Sequence, residues 1–252
     1  MQVVDLIAAL DLPPGTRVGQ RVPKTLLVEN GAPTAADKRH IQEGIEELSW
    51  VAALKPDTIG VPAVKDVTRE VVELAVLTLT LRPAAKAGRL LELVHRAIPY
   101  PVFLVSTHQE RVSLSLGLKR WSQGESGKTV LDGELVVVEL GDKESAAHIA
   151  PLCAALALAR QPRQSLVTLY QGWMDAALAF QAARISGEFR LAATPEQLRA
   201  RQEALLELAR LDSRVTVLRA AAAKEKQAAR LVQLNLELRE LENRRKEARA
   251  HL

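Results

Sequence analysis

Residues 124–129, GESGKT, resemble the end of a phosphate-binding P-loop, in which a glycine-rich backbone cradles phosphate and Lys and Thr contact phosphate and magnesium. The full motif needs its first glycine at position 122, where this chain has Ser122. A P-loop also opens a helix whose N-terminal dipole faces the phosphate, whereas the residues after Thr129 have the pattern of a strand. We therefore interpret this segment as a polar hairpin loop.

Acidic residues near the end of a predicted strand suggest a second chemistry. A metal-dependent nuclease of the restriction-enzyme type needs an Asp and then, on the next strand, an acidic residue and a Lys one residue apart. This chain offers Asp132, Glu134, Glu139 and, further on, Lys143, but no Glu-x-Lys or Asp-x-Lys on a strand. Solvated strand ends explain these charges more simply, and a degenerate metal-dependent nuclease stays as an alternative.

Histidine and cysteine spacing does not predict a metal site. None of the five histidines has metal-ligand spacing with another or with the single cysteine, Cys153, which lies in an apolar run typical of a buried thiol. We expect no metal and no cofactor, and the sequence reveals no reaction. The histidines are His40, His95, His108, His148 and His251.

Nucleic-acid binding by base stacking is disfavoured, because aromatic residues make up only 3% of the chain. Contacts to the phosphate backbone need only basic side chains on one face, so this class of binding remains compatible with the sequence. The candidates for phosphate contact are Lys119 and Arg120 at a strand end, and Arg244, Arg245 and Lys246 near the C-terminus.

The cellular compartment follows from cysteine use and hydropathy. One cysteine excludes a disulfide framework, and the first residues lack the basic region of a signal peptide. No apolar run approaches the roughly 18 residues of a membrane-spanning helix. We expect a soluble, cytoplasmic protein that does not contact membranes.

The elements that position these residues alternate between helix and strand, which predicts an α/β (α+β) fold with a mixed sheet and flanking helices. A short helix over residues 2–10 precedes a loop, and Thr34 caps a helix that runs to about Leu48. The later predicted strands are 70–82, 101–107, 111–121 and 130–140, with a short turn over 108–110 between the second and third and a kink or turn at Asp132-Gly133 in the last. The later predicted helices lie between Pro83 and Pro99 and over 143–160 and 165–186, the last closed by Gly187 as its C-cap.

The last quarter of the chain, residues 194–252, is almost continuously helical in pattern and carries the whole net charge. It holds 13 Lys and Arg against 9 Asp and Glu, whereas residues 1–193 hold 21 of each. Thr194 is a predicted N-cap, followed by Pro195 in the first turn and Gln197 in a capping box. We predict two parts, an α/β body over 1–193 and a basic helical segment over 194–252.

Two apolar stripes with coiled-coil spacing run along this segment, one from Leu208 to Ala222 and one from Leu231 to Leu241. On one continuous helix their centres lie roughly 140° apart, so the helix either breaks near residues 220–223 or faces two surfaces. A parallel homodimer would oppose like charges. An antiparallel pair, a folded-back hairpin, or docking onto the body and onto a partner fits better. The opposed like charges are Glu207 with Asp212, Arg214 with Arg219, and Glu237 with Glu242.

A set of short motifs resembles a known family, the bacterial domain of unknown function 4391. The motifs are Lys24 with Glu29-Asn30, a helix ending near Trp50, residues 98–101 (IPYP) leading a strand, Lys119-Arg120 closing the next strand, and residues 224–227 (KEKQ) with Asn235. Family members have an aromatic residue after KEKQ, where this chain has Ala228. No activity is assigned to the family, and its proteins resemble companions of helicases, DNA methyltransferases and restriction subunits in defence gene clusters.

The resemblance implies a non-catalytic accessory subunit of a bacterial phage-defence or restriction-modification system. We expect its C-terminal helix to dock on a helicase or methyltransferase of the same gene cluster. The residues predicted to bind this partner are Lys224, Lys226, Gln227, Leu231, Leu234, Asn235, Leu238 and Leu241.

Overall fold

The computed structural model describes residues 2–125, 127–141, 145–250 and 252. The chain forms two compact units, Met1–Ala177 and Leu178–Leu252. The boundary between these units falls inside the helix Leu166–Ser186. No helix among the described residues is both long and apolar enough to span a membrane.

The fold is of the mixed α/β type that the sequence predicts. The helices are α1 Val3–Ala9, α2 Lys24–Gly31, α3 Ala35–Gly44, α4 Pro56–Ile59, α5 Ala87–Ala97, α6 Ala146–Leu156, α7 Leu166–Ser186, α8 Pro195–Ala222 and α9 Ala228–Arg249. The strands are β1 Arg17–Arg21, β2 Ile45–Leu54, β3 Val64–Lys65, β4 Glu70–Val71, β5 Leu74–Leu81, β6 Val102–His108, β7 Arg111–Leu116, β8 Lys119–Trp121, β9 Thr129–Leu131 and β10 Val136–Leu140.

A six-stranded sheet in the order β1-β2-β5-β6-β7-β10 forms the centre of the first unit. Only β5 and β6 pair in parallel, and α5 connects them, as a parallel crossover requires. The side chains of β5 are buried along most of its length because both faces of the sheet are covered there. Residues from α2, α3 and α5 pack on one face with Leu48, Leu77 and Leu104 in a common core.

The prediction of a helix to about Leu48 is wrong. Helix α3 starts at its Thr34 cap, as expected, but ends at Gly44, and β2 begins at Ile45. Ile41, Ile45 and Leu48 all reach the same core, the first from the helix and the others from the strand, because a bulge after Ile45 shifts the register. Their helical spacing is thus satisfied by two different elements. The motif residue Trp50 consequently lies in a strand.

The loop expected between residues 11 and 33 contains two further elements, β1 and α2. Lys24, at the start of α2, donates from Nζ to the carbonyl of Gln42 at 3.0 Å and to that of Ile45. These carbonyls lie at the end of α3, where backbone acceptors lack helical partners. The Lys24 ammonium therefore caps α3 and ties it to α2, a long-range contact that local sequence does not reveal.

Strands β6 and β7 join through the two-residue turn Gln109–Glu110, which lies within the short turn over 108–110 that the sequence predicts, and His108 belongs to β6. Both turn residues are left-handed, with φ of 49° at Gln109 and 66° at Glu110, although neither is glycine. The Gln109 amide donates to the carbonyl of Pro83 at 2.8 Å. This anchoring contact holds a backbone conformation that non-glycine residues adopt at a cost.

The second half of the sheet region is also close to prediction. The strand expected over 130–140 is divided at Gly133, whose φ of 88° marks the predicted turn. The segment expected over 111–121 likewise divides into β7 and β8, and β8 pairs with β9 in a separate small sheet. Helix α7 ends where Gly187 adopts a left-handed φ of 86°, which confirms the predicted C-cap.

Candidate partner-binding surface on the C-terminal hairpin

Helices α8 and α9 fold back on each other as an antiparallel hairpin. The segment is therefore broken into two helices and is not one continuous helix that faces two surfaces. Helix α8 begins with the predicted cap, because the Thr194 hydroxyl accepts the backbone N–H of Gln197 at 3.2 Å. It ends at Ala222, within two residues of the break expected from the two stripes. Five residues, 223–227, separate it from α9.

The apolar seam of the hairpin consists of residues from both predicted stripes. Leu211, Val215 and Leu241 form its buried centre, and Leu218 and Leu238 pack against them. Each helix therefore covers the stripe of the other. The two stripes can face each other because the chain turns back between α8 and α9, although they would point in different directions on one continuous helix. This packing supplies most of the stability of a helix pair in water.

Four ion pairs flank the seam, and they join the charges that would repel in a parallel dimer. Every such residue now faces the opposite charge on the other helix, since an antiparallel arrangement reverses the order of one helix. Each exposed pair contributes only about 0.2–1 kcal/mol, but together they favour this pairing over a parallel one. The pairs are Arg214–Glu237 at 2.9 Å, Arg219–Glu242 at 2.8 Å, Arg244–Glu207 at 2.5 Å and Arg245–Asp212 at 2.7 Å.

The predicted partner-binding residues separate into two groups. Leu234 and Leu241 are buried, and Leu238 and Leu241 pack against α8 residues in the seam. The antiparallel fold therefore uses the second stripe internally, and binding of a partner by these leucines would require the hairpin to open. Leu231 is half-buried, whereas the polar residues Lys224, Lys226, Gln227 and Asn235 are exposed.

Sequence reasoning missed a different apolar face on α9. Val232 and Leu236 are 59% and 63% exposed, and they lie four residues apart on one side of the helix. Neither belongs to the two stripes defined from sequence. Helical geometry places them away from Leu234 and Leu241, on the side of α9 that does not face α8. We call the exposed pair Val232 and Leu236 the outer patch.

The phosphate-contact candidates are mostly engaged within the protein. Arg244 and Arg245 belong to the ion pairs of the hairpin, and Arg120 lies 3.6 Å from the Asp132 carboxylate. Lys119 is fully buried, so in this structure its ammonium lacks the surface position that a phosphate contact needs. The fifth candidate, Lys246, is exposed, and its ammonium lies at the surface.

Lys119 instead caps α5 inside the body. Its ammonium donates to the carbonyl of His95, and the residue four positions after His95 is Pro99, which has no N–H to offer that carbonyl. Burial, and then the charge of Arg96, lower the pKa of Lys119 to about 8. The lysine thus satisfies an acceptor that proline leaves without its helical partner.

A buried polar group lies beside Lys119. His95 is fully buried and its Nε2 is 2.9 Å from the Ser115 hydroxyl. Burial, with a smaller contribution from Lys119, lowers the pKa of His95 to about 3, so the ring is neutral. A serine and a neutral histidine at this distance form the pair found in nucleophilic catalysis, but both side chains are enclosed by the core. Their contact satisfies buried polar atoms.

The acidic cluster near β10 does not converge. Asp132 forms a 2.8 Å ion pair with Arg69, while Glu134 and Glu139 are exposed. Lys143 lies outside the described residues. Within the part of the chain that the structure describes, no group of three or more His, Cys, Asp and Glu side chains is placed to hold a metal ion.

The GESGKT segment joins two strands, β8 and β9, as the hairpin interpretation predicts. Its Lys128 forms an ion pair with Glu125, and Ser126 lies outside the described residues. The residue after Thr129 continues β9, so the segment does not open a helix as a P-loop does.

Comparison with protein families finds a match over most of the chain. The family model described as "Domain of unknown function (DUF4391)" matches residues 10–244, nearly the whole length of the chain. No curated protein and no solved structure matches the chain.

Proposed function

The chain belongs to the DUF4391 family, whose description assigns no activity, and from this premise we propose that it is a non-catalytic accessory subunit that binds a protein partner through its C-terminal hairpin. The observation that carries the proposal is the outer patch. A helix whose seam is already covered has no need of a second apolar face for its own folding. Two large aliphatic side chains that stay more than half exposed on one side are therefore candidates for contact with another protein.

The charge around the outer patch indicates the chemistry of the partner. The four ion pairs of the hairpin use equal numbers of basic and acidic residues, so the net charge of +4 in residues 194–252 remains outside the seam. Lys224 and Lys226 are exposed at the turn, and Arg239 is exposed one turn beyond Leu236. We propose an amphipathic helix with acidic residues beside its apolar face as the partner element.

The larger protein that carries this element is a helicase or DNA methyltransferase encoded beside the gene, in a bacterial defence or restriction-modification system. This part of the proposal is supported by the family resemblance alone. The first test is co-expression of the tagged full-length chain with the products of the adjacent genes, followed by size-exclusion chromatography with light scattering. A stable complex of defined mass with one of them is the expected result.

The variant that separates docking from folding is Val232→Asp combined with Leu236→Asp, which places two charges in the outer patch. Its matched control is Val217→Asp on α8, because Val217 is 65% exposed but lies outside the patch. We expect the complex to survive the control substitution and to be lost with the double variant. A complex that survives both, or no complex with any neighbouring gene product, would refute the proposal.

Two alternatives have their own tests. Nucleic-acid binding through the exposed lysines of the hairpin predicts an affinity that falls steeply with salt and is reduced by Lys224→Ala with Lys226→Ala. A degenerate nuclease predicts metal-dependent cleavage that is lost in Glu134→Ala or Glu139→Ala. Salt-independent or absent binding removes the first alternative, and unchanged cleavage in both variants removes these carboxylates from the second.

A further inference from the structure

The turn between α8 and α9 consists of residues that ordinarily continue a helix. Residues 220–229 read AAAAKEKQAA, and Ala, Lys, Glu and Gln are among the strongest helix formers. A helix end usually has Gly or Asn just after its last turn, whereas this one has neither. Local propensity and the bent backbone therefore oppose each other at residues 223–227.

Contacts outside the local backbone preference hold the turn in its bent form. The Glu225 carboxylate accepts the backbone N–H groups of Lys226 and Gln227, both at 2.8 Å. Gln227 is extended, with φ of −85° and ψ of 117°, and α9 starts after it. The seam and its ion pairs provide the remaining stabilisation. Removing these contacts leaves a sequence that favours uninterrupted helix.

In an uninterrupted helix the outer patch would lie on the same stripe as the apolar residues of α8. The hairpin does not require this alignment. The stripe of α8 runs through Leu218 and Ala222 with alternating steps of four and three residues. Continued through position 225, the same steps reach Ala229, Val232 and then Leu236. The two exposed side chains thus extend the α8 stripe once the turn is helical, whereas the α9 seam residues lie on another side.

We infer that the hairpin is one of two conformations of residues 195–249, and that the turn can become helical and join α8 and α9 into one helix about 80 Å long. In the straight conformation a stripe that is apolar except at Glu225 runs from Leu208 to Leu236, and the seam leucines of α9 are released from α8. Two packings of one sequence are a recognised basis for switching. The inference does not depend on the docking proposal, because the equilibrium belongs to the free chain.

The test is a distance measurement between spin labels at Ser213→Cys and Asn243→Cys, two exposed positions, in a Cys153→Ser background. These positions are separated by about 45 Å along a continuous helix and by less than roughly 30 Å across two packed helices. A tenfold excess of unlabelled chain restricts the measurement to distances within one molecule. The unaltered turn should give mostly the short distance.

Two variants shift the equilibrium in opposite directions. Glu225→Ala removes both carboxylate hydrogen bonds and introduces the best helix former, so the long-distance fraction should rise at least threefold. Ala228→Pro suits the first residue of α9 and the extended Gln227 before it, but it breaks a continuous helix. This variant should abolish the long distance.

Two results of the distance measurement would overturn the inference. Glu225→Ala protein that shows only the short distance would mean that the straight helix is not an accessible conformation. A long-distance fraction that persists in Ala228→Pro would mean that it arises from something other than helical closure of the turn. Circular dichroism of each variant confirms that the protein is folded before the distances are compared.

Discussion

The buried ammonium of Lys119 makes stability depend on pH above neutrality. The pKa of this lysine is about 8 in the folded protein, mainly because of burial, against 10.5 for an exposed lysine. Between these two values the unfolded chain binds more protons at this site than the folded chain. Stability should therefore rise with pH across this window. Below pH 8 both states hold the proton, so the cost of the buried charge is fully present.

The magnitude follows from the difference in pKa. Each pKa unit corresponds to about 1.4 kcal/mol, so the rise between pH 8 and 10.5 is on the order of 3 kcal/mol. Lys119→Met keeps the length and apolar stem of the side chain but removes the titrating group. The variant also leaves the His95 carbonyl without its donor, and this contribution, a loss of about 1–3 kcal/mol, does not change with pH.

The assay is urea unfolding at constant ionic strength from pH 7 to 11, for the natural chain, Lys119→Met and the exposed-lysine control Lys38→Met. The difference in unfolding free energy between the natural chain and Lys119→Met should grow with pH in favour of the natural chain. Other titrating groups, including Tyr170, whose burial raises its pKa, cancel in this difference. A difference that stays constant with pH, or that equals the Lys38→Met control, would show that Lys119 is not a buried cation.

Three further substitutions test local parts of the fold. Glu110→Gly should raise the free energy of unfolding by about 0.5–1 kcal/mol in thermal unfolding, because glycine tolerates the left-handed φ of 66°; a loss of stability would contradict this. Asp37→Asn tests acid stability: hydrogen bonds from Arg89, and then from Thr34, hold the Asp37 pKa below its usual range. Above pH 4 the natural chain should have a higher free energy of unfolding in urea than the variant, and this difference should disappear as the pH falls further. A difference in unfolding free energy that is independent of pH would refute this. Tyr170→Phe should cost about 2–4 kcal/mol in the same assay, since the hydroxyl bridges the buried N–H of Gly117 and carbonyl of Val102 at 2.8 and 2.6 Å; a cost below that of Tyr100→Phe would be contrary to expectation.

Local signals were sufficient where an element depends on its own residues. The Thr194 cap, the Gly187 C-cap and the turn at Gly133 are all visible in the sequence, because each depends on the preferences of one or two residues. The strand β2 was missed because Ile45 and Leu48 have helical spacing with Ile41. Pairing with β1 and β5, which are distant in the chain, makes this segment extended.

The candidate site shows the same division between local and long-range information. The two stripes and the like charges beside them disfavour a parallel dimer, and the hairpin pairs those charges with opposite partners. Which stripe remains available for a partner depends on α8 covering α9, and no local pattern shows this. Lys24 and Lys119 look like surface cations in the sequence, yet each caps a helix whose end is distant in the chain.

The central claim, that the outer patch binds a protein partner, is tested most directly by titrating the purified partner from the co-expression experiment with the natural chain, Leu236→Asp and Val217→Asp. Leu236 is 63% exposed, and burying such a side chain contributes about 1.5 kcal/mol, which corresponds to roughly tenfold in affinity. The aspartate adds the cost of an unpaired buried charge. We expect Leu236→Asp to weaken binding by at least tenfold while Val217→Asp binds as the natural chain does. Equal affinities for all three proteins would contradict the claim.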